Sequence, residues 1–219
     1  MVKFVPQLIN LFATLILLLA FAMISQRRIL SLINLFMLQG AALVAASFLL
    51  GYATGQPDLY VSGALTLVLK VIFIPWMLHR MIGKLNVRWD VETLLNIPTT
   101  MLVGIALVIF AFSLALPVSR LSDSLAGGSL GIALACVMLS FMMMITRSKA
   151  VPQVIAFLSM ENGLIFAATT VTNGMPMIVE FGIALDVLVG VLILGVFMFQ
   201  IREKFDSLDI RNLEALKED

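Results

Sequence analysis

The amino-acid sequence predicts an all-α polytopic membrane protein with about seven transmembrane helices, an external N-terminus and a cytoplasmic C-terminus. The first reason is composition: of 219 residues, 61% are hydrophobic and 12% are charged, whereas soluble domains carry about 25% charged residues. The mean hydropathy of +1.09 agrees with a membrane location. The other reasons are a series of apolar segments of helical length and a regular alternation of basic residues between them.

A transmembrane helix needs roughly 20 mainly apolar residues, and seven segments reach that length. They cover residues about 4–24, 29–50, 59–79, 95–116, 128–146, 152–172 and 177–200. The first segment runs into Gln26-Arg27-Arg28 with no small-residue cleavage site before the basic pair. It is therefore predicted to be a retained helix and not a signal peptide.

Prolines fit this division of the chain. Pro152 and Pro176 fall in the first turn of the sixth and seventh segments, where a missing N–H costs no helical hydrogen bond. Pro75 lies inside the third segment, and it predicts a kink about one turn beyond Lys70.

Basic residues occur in every second break between the segments, which is the pattern of cytoplasmic loops. The first, third and fifth breaks and the C-terminal tail contain Arg27, Arg28, Arg80, Lys84, Arg88, Arg147, Lys149, Arg202 and Lys204. The second and sixth breaks contain none, and the fourth contains Arg120 with Asp123 close by. The alternation supports the helix count and places the C-terminal tail in the cytoplasm.

Composition also limits the chemistry. The net charge of +1 gives no indication of a nucleic-acid partner. Cys136 is the only cysteine and His79 the only histidine, so the chain can form no internal disulfide and has no spacing typical of a metal cluster. No cofactor or metal is expected in this chain, and a membrane-embedded enzyme is the least favoured function.

Three ionisable residues fall near the centres of predicted helices: Lys70, Glu161 and Asp186. A charge at the centre of a membrane helix costs about 2.5–3.5 kcal/mol, so three together cost roughly 7–10 kcal/mol before any pairing. Glu180 is a lesser case because it lies about one turn into the seventh segment from the outer side. Such residues usually mark ion or proton paths.

Two interpretations of these charges remain open. Lys70 forms a buried ion pair with Glu161 or Asp186 that only locks the bundle, or the acids belong to a relay for protons. Buried pairs are weak evidence for stability, and a carboxyl group away from water changes its protonation state as neighbouring charges move. The amides of Asn162, Asn34 and Gln39 either hold water and fix a carboxyl group or make interhelical hydrogen bonds.

Several motifs carry a resemblance to a known family. They are "KVIFIP" at 70–75, "SMENG" at 159–163, "EFGIALD" at 180–186 and the tail "SLDIRNLEALK" at 207–217. With these, the whole chain resembles component E of hydrogenase-4 and of related formate hydrogenlyase complexes. The part from residue 128 onward resembles the three-helix K subunit of respiratory complex I and the C subunit of multisubunit cation/proton antiporters.

This resemblance implies two regions, a four-helix membrane region at 1–127 and a K-like three-helix region with a short cytoplasmic tail at 128–219. It implies a non-catalytic, multi-pass subunit of an oxidoreductase complex in the cytoplasmic (inner) membrane of a bacterium or archaeon. The two buried acids of the K subunit's proton path match Glu161 and Asp186, although Asp186 is one methylene shorter than the family's glutamate. On this comparison Lys70 balances the charge and Glu180 lies toward the outer mouth.

The resemblance also implies partners and cofactors outside this chain. Expected partners are antiporter-like membrane subunits, a subunit like the complex I H chain, a peripheral redox arm and membrane lipids, with no nucleic acid. Nickel–iron and iron–sulfur centres are expected on those partners. The coupling ion is a proton or sodium. The competing functions are a stand-alone secondary transporter and a passive assembly subunit whose acids only form structural ion pairs.

Overall fold

The computed structural model describes residues 4–85, 96–119, 129–171 and 190. The helices of these residues are α1 (Phe4–Ile24), α2 (Ile29–Thr54), α3 (Pro57–Thr66), a π-helix (Leu67–Phe73), α4 (Ile74–Leu85), α5 (Ile97–Ser119), α6 (Ser129–Thr146) and α7 (Ala150–Val171). The segment from α3 through the π-helix to α4 is continuous. With that segment counted once, the described residues contain six helices long and apolar enough to cross a membrane.

The structure thus confirms an all-helical architecture with six of the predicted spans, and the protein is a multi-pass membrane protein. The predicted seventh segment, 177–200, and the cytoplasmic tail lie outside the described residues except for Gly190. One boundary differs from the prediction, because α2 continues four residues past position 50 to Thr54. Its end is set by Gly55, whose φ of 69° lies in the left-handed region and whose N–H donates to Gly51 O.

Four helices form the centre of the bundle. α1 packs against α2 and α6, and α7 packs against the same two helices, so the four enclose one core. Buried apolar side chains from all four helices fill it, with Ile74 and Leu78 of α4 joining from the side. The segment α3–α4 lies against α2, and α5 lies against α6 and α1. Helices from both predicted regions, 1–127 and 128–219, therefore share this core.

The surface of the bundle is apolar, as lipid contact requires. α5 is the least buried of the six spans. It exposes Leu102, Ile105, Ile109, Phe110 and Leu116 among others. Exposed hydrophobic side chains on this scale would be an unusual surface in water, so they agree with a lipid environment.

A π-helix stands where the sequence predicts a kink. Pro75 has no N–H and its ring clashes with the preceding turn of an α-helix. The chain avoids the clash by widening the preceding turns, so that the N–H of Ile74 donates to Leu69 O, five residues earlier. A local π-helix of this kind is one of the identifiable causes of an irregular helix.

The π-helix keeps one face of the third span directed at the core. Ser62, Thr66, Lys70, Ile74 and Leu78 are all buried and recur every four residues. Four residues of an α-helix turn through about 400°, so four such steps would drift by about 160°. One extra residue in a wide turn removes about 100° of that drift. The widened turn therefore brings Lys70 onto the inner face.

Candidate functional site

The buried polar residues predicted from the sequence come together at one depth. Lys70 lies near the middle of the span Pro57–Arg80, Glu161 near the middle of Val151–Thr170, and Gln39 near the middle of Ile29–Thr54. Asn162 is next to Glu161 on α7. All four are buried, with at most 1% of each residue exposed.

Lys70 and Glu161 form an ion pair. Lys70 Nζ lies 3.2 Å from Glu161 Oε2, and the exposed fractions of the two side chains are 0% and 2%. Lys70 Nζ also donates a hydrogen bond of 3.1 Å to Asn162 Oδ1. The ammonium is thus held by two consecutive residues of α7. A pair buried this deeply has little screening from solvent or salt.

A chain of amides continues from the ion pair across the bundle. Asn162 Nδ2 donates to Gln39 Oε1 at 3.2 Å, and Gln39 Nε2 donates to the backbone carbonyl of Ile16 at 3.4 Å. The chain's direction is fixed at both ends, since an ammonium only donates and a backbone carbonyl only accepts. Each amide therefore has one orientation that satisfies its neighbours. The network joins α1, α2, the π-helix and α7.

Two glycines allow the helices to approach at this level. A Cβ at Gly40 would lie 3.3 Å from Val71 Cγ2 and 3.7 Å from Lys70 Cβ. A Cβ at Gly163 would lie 3.1 Å from Val137 Cγ2 and 3.2 Å from the backbone N of Val137. Each glycine directly follows a network amide, as Gln39-Gly40 and Asn162-Gly163. Close helix contact at small residues is typical of membrane bundles, and here it brings the polar side chains within reach.

A second buried polar contact, which was not predicted from the sequence, joins α6 and α7. Ser140 Oγ and Ser159 Oγ lie 2.7 Å apart, and both residues are buried. Ser159 precedes Glu161 by two residues. A serine in each of two predicted spans is a weak signal, since helix hydroxyls usually bond to their own backbone.

Arg147, predicted only as a basic loop residue that indicates orientation, is buried in the structure. It is 1% exposed, and its Nη2 donates to Met23 O at 3.1 Å and to Ile24 O at 2.8 Å. These are carbonyls at the C-terminal end of α1, where a positive charge is favourable. Burial lowers the pKa of Arg147 to about 10, so the guanidinium stays charged at neutral pH. We call the end of the bundle that carries Arg27, Arg28 and Arg147 the basic end.

The remaining predicted site residues do not join this network in the described part of the chain. Asn34 is exposed on the outer face of α2, because five residues of helix separate it from Gln39 and turn it by about 140°. Asp186 and Glu180 lie outside the described residues. Within the described ranges, no group of three or more His, Cys, Asp or Glu side chains is placed to hold a metal ion.

The site can stabilise charge and exchange a proton within it. The ammonium and the carboxylate offset each other's cost of burial, and a proton moved from Lys70 to Glu161 would leave two neutral groups. Asn162, itself bonded to Gln39, holds the Lys70 side chain beside Glu161.

Comparison with known proteins gives one informative match. No protein-family model matches the sequence. No solved structure is significantly similar to it. The uncharacterized protein Rv0085 of Mycobacterium tuberculosis is 33% identical over 194 residues, which are 88% of this chain and 88% of that protein. Identity at this level over nearly the full length of both proteins shows common descent, and the chain belongs to the same family as Rv0085.

Proposed function

We propose that the chain is a non-catalytic membrane subunit of a redox complex like hydrogenase-4 or formate hydrogenlyase, related to complex I, and that it helps to move protons or sodium ions. The observation that carries this proposal is the Lys70–Glu161 pair, 3.2 Å apart and buried at mid-depth in the bundle. Groups of this kind within membrane spans are costly, and they usually belong to ion or proton pathways.

In this proposal Glu161 is the central proton carrier. Lys70 balances its charge, and Asn162 with Gln39 fixes the ammonium relative to the carboxylate. Asp186 continues the path in the seventh predicted span, and Glu180 lies toward its outer mouth. A shift of charge on a neighbouring subunit would change which of Lys70 and Glu161 holds the proton, and this change would couple electron transfer to ion movement.

The proposed assembly contains the redox chemistry on other chains. Antiporter-like subunits, a subunit like the complex I H chain and a peripheral arm with nickel–iron and iron–sulfur centres would surround this subunit in a bacterial or archaeal cytoplasmic membrane. The mycobacterial relative supports a prokaryotic source. The basic end would face the cytoplasm and bind lipid headgroups or the arm.

The test replaces Glu161 or Asp186 by its neutral amide, as Glu161→Gln or Asp186→Asn, in the complex purified in mild detergent and returned to vesicles. We expect electron transfer to continue while the ions moved per electron fall at least tenfold. Asn34→Ala is the matched control, because this polar residue is exposed and its loss should change nothing. Unchanged ion movement in an intact complex would exclude the relay. A purified single chain that transports a solute alone would favour a secondary transporter instead.

A passive assembly role is the second candidate, and the hydrogen bonds that hold Lys70 and the two amides favour it. Within the described residues Lys70 contacts Glu161 and Asn162, and each amide is bonded on both sides, as in a purely structural lock. The double variant Lys70→Met/Glu161→Gln separates the two roles. Restored assembly with restored ion movement would indicate a structural pair, whereas restored assembly without ion movement would indicate a relay.

A further inference from the structure

A groove runs along the outside of the bundle between α1 and α5. Its volume is about 510 Å³, and its walls include Leu18 and Phe21 of α1 and Ile105 of α5. The one hydroxyl in its lining belongs to Thr14, and this group donates to Asn10 O of its own helix at 2.8 Å. The groove therefore offers a ligand mainly apolar contact.

The groove is closed at its floor and open on its outer side. A Cβ at Gly104 of α5 would lie 3.3 Å from Phe21 Cε2 and 3.3 Å from Leu139 Cδ2 of α6, so α5 is seated closely on both helices there. Leu18 and Ile105 form the two rims and are 60% and 49% exposed. Because both rims are exposed, the groove opens toward the lipid.

The length and depth of the groove match one leaflet of the bilayer. On α1 it runs from Thr14, at the middle of the span, to Ala22 near the end that leads to the basic end. On α5 it runs from Met101 to Ile109. Eight residues of helix are about 12 Å long, and half of a hydrocarbon core of about 30 Å is about 15 Å. An extended acyl chain of one leaflet matches this length.

The cross-section of the groove favours an acyl chain over a protein helix. A volume of about 510 Å³ over a length of about 12 Å gives a mean cross-section of about 40 Å². An α-helix with its side chains is about 10–12 Å across and needs about 80–110 Å². The groove is therefore too narrow to take a whole helix.

Two exposed arginines stand beyond the end of the groove. Arg27 and Arg28 follow Ala22 by five and six residues and are exposed at the basic end. In the described part of the chain neither of them pairs with a carboxylate. The chain has no Asp or Glu before Asp58, and α5 and α6 contain none. The third break contains three Arg or Lys residues against two acids. This end therefore has an excess of positive charge, which an anionic headgroup can neutralise.

We propose that the groove holds one acyl chain of an anionic phospholipid, whose phosphate group lies at Arg27 and Arg28. Guanidinium groups bind phosphate through paired hydrogen bonds. A zwitterionic phospholipid has the same phosphate, but its ammonium brings a positive charge back to the arginines. By the distribution of basic residues, the lipid belongs to the cytoplasmic leaflet. The inference goes beyond the proposed function and does not depend on it, because it assigns a ligand to the outer surface of the bundle.

The test measures which lipid contacts the groove when the full chain is in vesicles. Trp76→Phe and Trp89→Phe remove the two tryptophans, and Leu18→Trp then places one fluorophore at the rim. The vesicles mix phosphatidylcholine and phosphatidylglycerol, and one of the two carries bromine on its acyl chains, which quenches tryptophan on contact. We expect an affinity for phosphatidylglycerol about tenfold above that for phosphatidylcholine, because each basic residue near the headgroups attracts anionic lipid.

Two further tryptophan positions define the comparison. Val103→Trp is the matched control, because Val103 lies on the opposite face of α5 at the same depth and is 42% exposed. It should show little preference between the two lipids. Ile105→Trp, on the other rim, repeats the measurement if Leu18→Trp does not fold. An equal preference at the rim and at Val103→Trp would overturn the proposal.

Charge variants test the headgroup contact. Arg27→Gln together with Arg28→Gln should lower the preference measured at Leu18→Trp by at least about fivefold. Arg80→Gln removes an exposed basic residue of the third span and should leave the preference unchanged. A preference that survives the loss of both arginines would contradict the proposal. Absence of quenching by either brominated lipid at Leu18→Trp would indicate a protein occupant, such as a helix of a partner subunit, and would also overturn it.

Discussion

The Lys70–Glu161 pair should be strongly coupled, and a double-mutant cycle measures that coupling directly. Lys70→Met removes the ammonium and leaves a carboxylate buried in the bundle. Glu161→Gln removes the carboxylate, while Lys70 keeps its bond to Asn162 Oδ1 at 3.1 Å. The double variant removes both charges and keeps side chains of similar volume. The cycle therefore isolates the pair from the rest of the network.

The expected magnitude follows from the geometry. At 3.2 Å between Lys70 Nζ and Glu161 Oε2, and with an effective dielectric constant of about 20, the attraction is about 5 kcal/mol. Removal of one partner of a buried pair typically lowers the free energy of unfolding by about 3–5 kcal/mol, because the other charge stays buried without a counter-charge. We expect a coupling energy of about 3–5 kcal/mol and a double variant more stable than Lys70→Met alone.

The assay is the free energy of unfolding of the parent, both single variants and the double variant in the same detergent. Asn34→Ala combined with Glu161→Gln is the control cycle, since Asn34 is exposed and away from the network, and its effects should be additive. A coupling energy below about 1 kcal/mol, the level of a solvent-exposed pair, would refute the conclusion that this pair is dry and closely held.

Three further outcomes are expected. Arg147→Met loses two charge-assisted bonds to the end of α1 and should lower the free energy of unfolding by about 3–5 kcal/mol, whereas the exposed control Arg27→Met should not; equal effects would contradict the buried contact. Gly163→Ala places a methyl group 3.1 Å from Val137 Cγ2 and should lower the free energy of unfolding by about 1–3 kcal/mol. An unchanged free energy of unfolding would mean that α6 and α7 can move apart to accept the methyl group without cost. Pro75→Ala restores an N–H and should favour a regular α-helix, which would turn Lys70 by about 100° relative to Ile74. The complex should still assemble, while ion movement per electron should fall. Unchanged ion movement per electron would argue against a role for the π-helix.

The sequence was sufficient for the six described spans and for the depth of Lys70 and Glu161, because hydrophobic length and the cost of buried charge are local properties. It also located the irregular turn, since Pro75 cannot continue an α-helix. It did not decide whether Lys70 pairs with Glu161 or Asp186, which depends on how the helices pack. Helical geometry alone would have separated Asn34 from Gln39, as five residues cannot place both side chains on one face.

Arg147 shows the opposite case. Its position after an apolar segment predicted a residue of a cytoplasmic loop, and nothing local indicates burial. The end of α1 supplies carbonyl acceptors to the guanidinium from more than 120 residues away in the chain. Only the tertiary arrangement of α1 against α6 reveals that contact.

The fixed direction of the amide chain bears on whether a proton can leave the Lys70–Glu161 pair toward α1. Amide groups hold hydrogen bonds well but do not pass protons along them, because each transfer would create a high-energy tautomer. Gln39 and Asn162 therefore do not relay protons between the Lys70–Glu161 pair and α1. A proton held by the pair would therefore not pass along these two amides to Ile16 of α1.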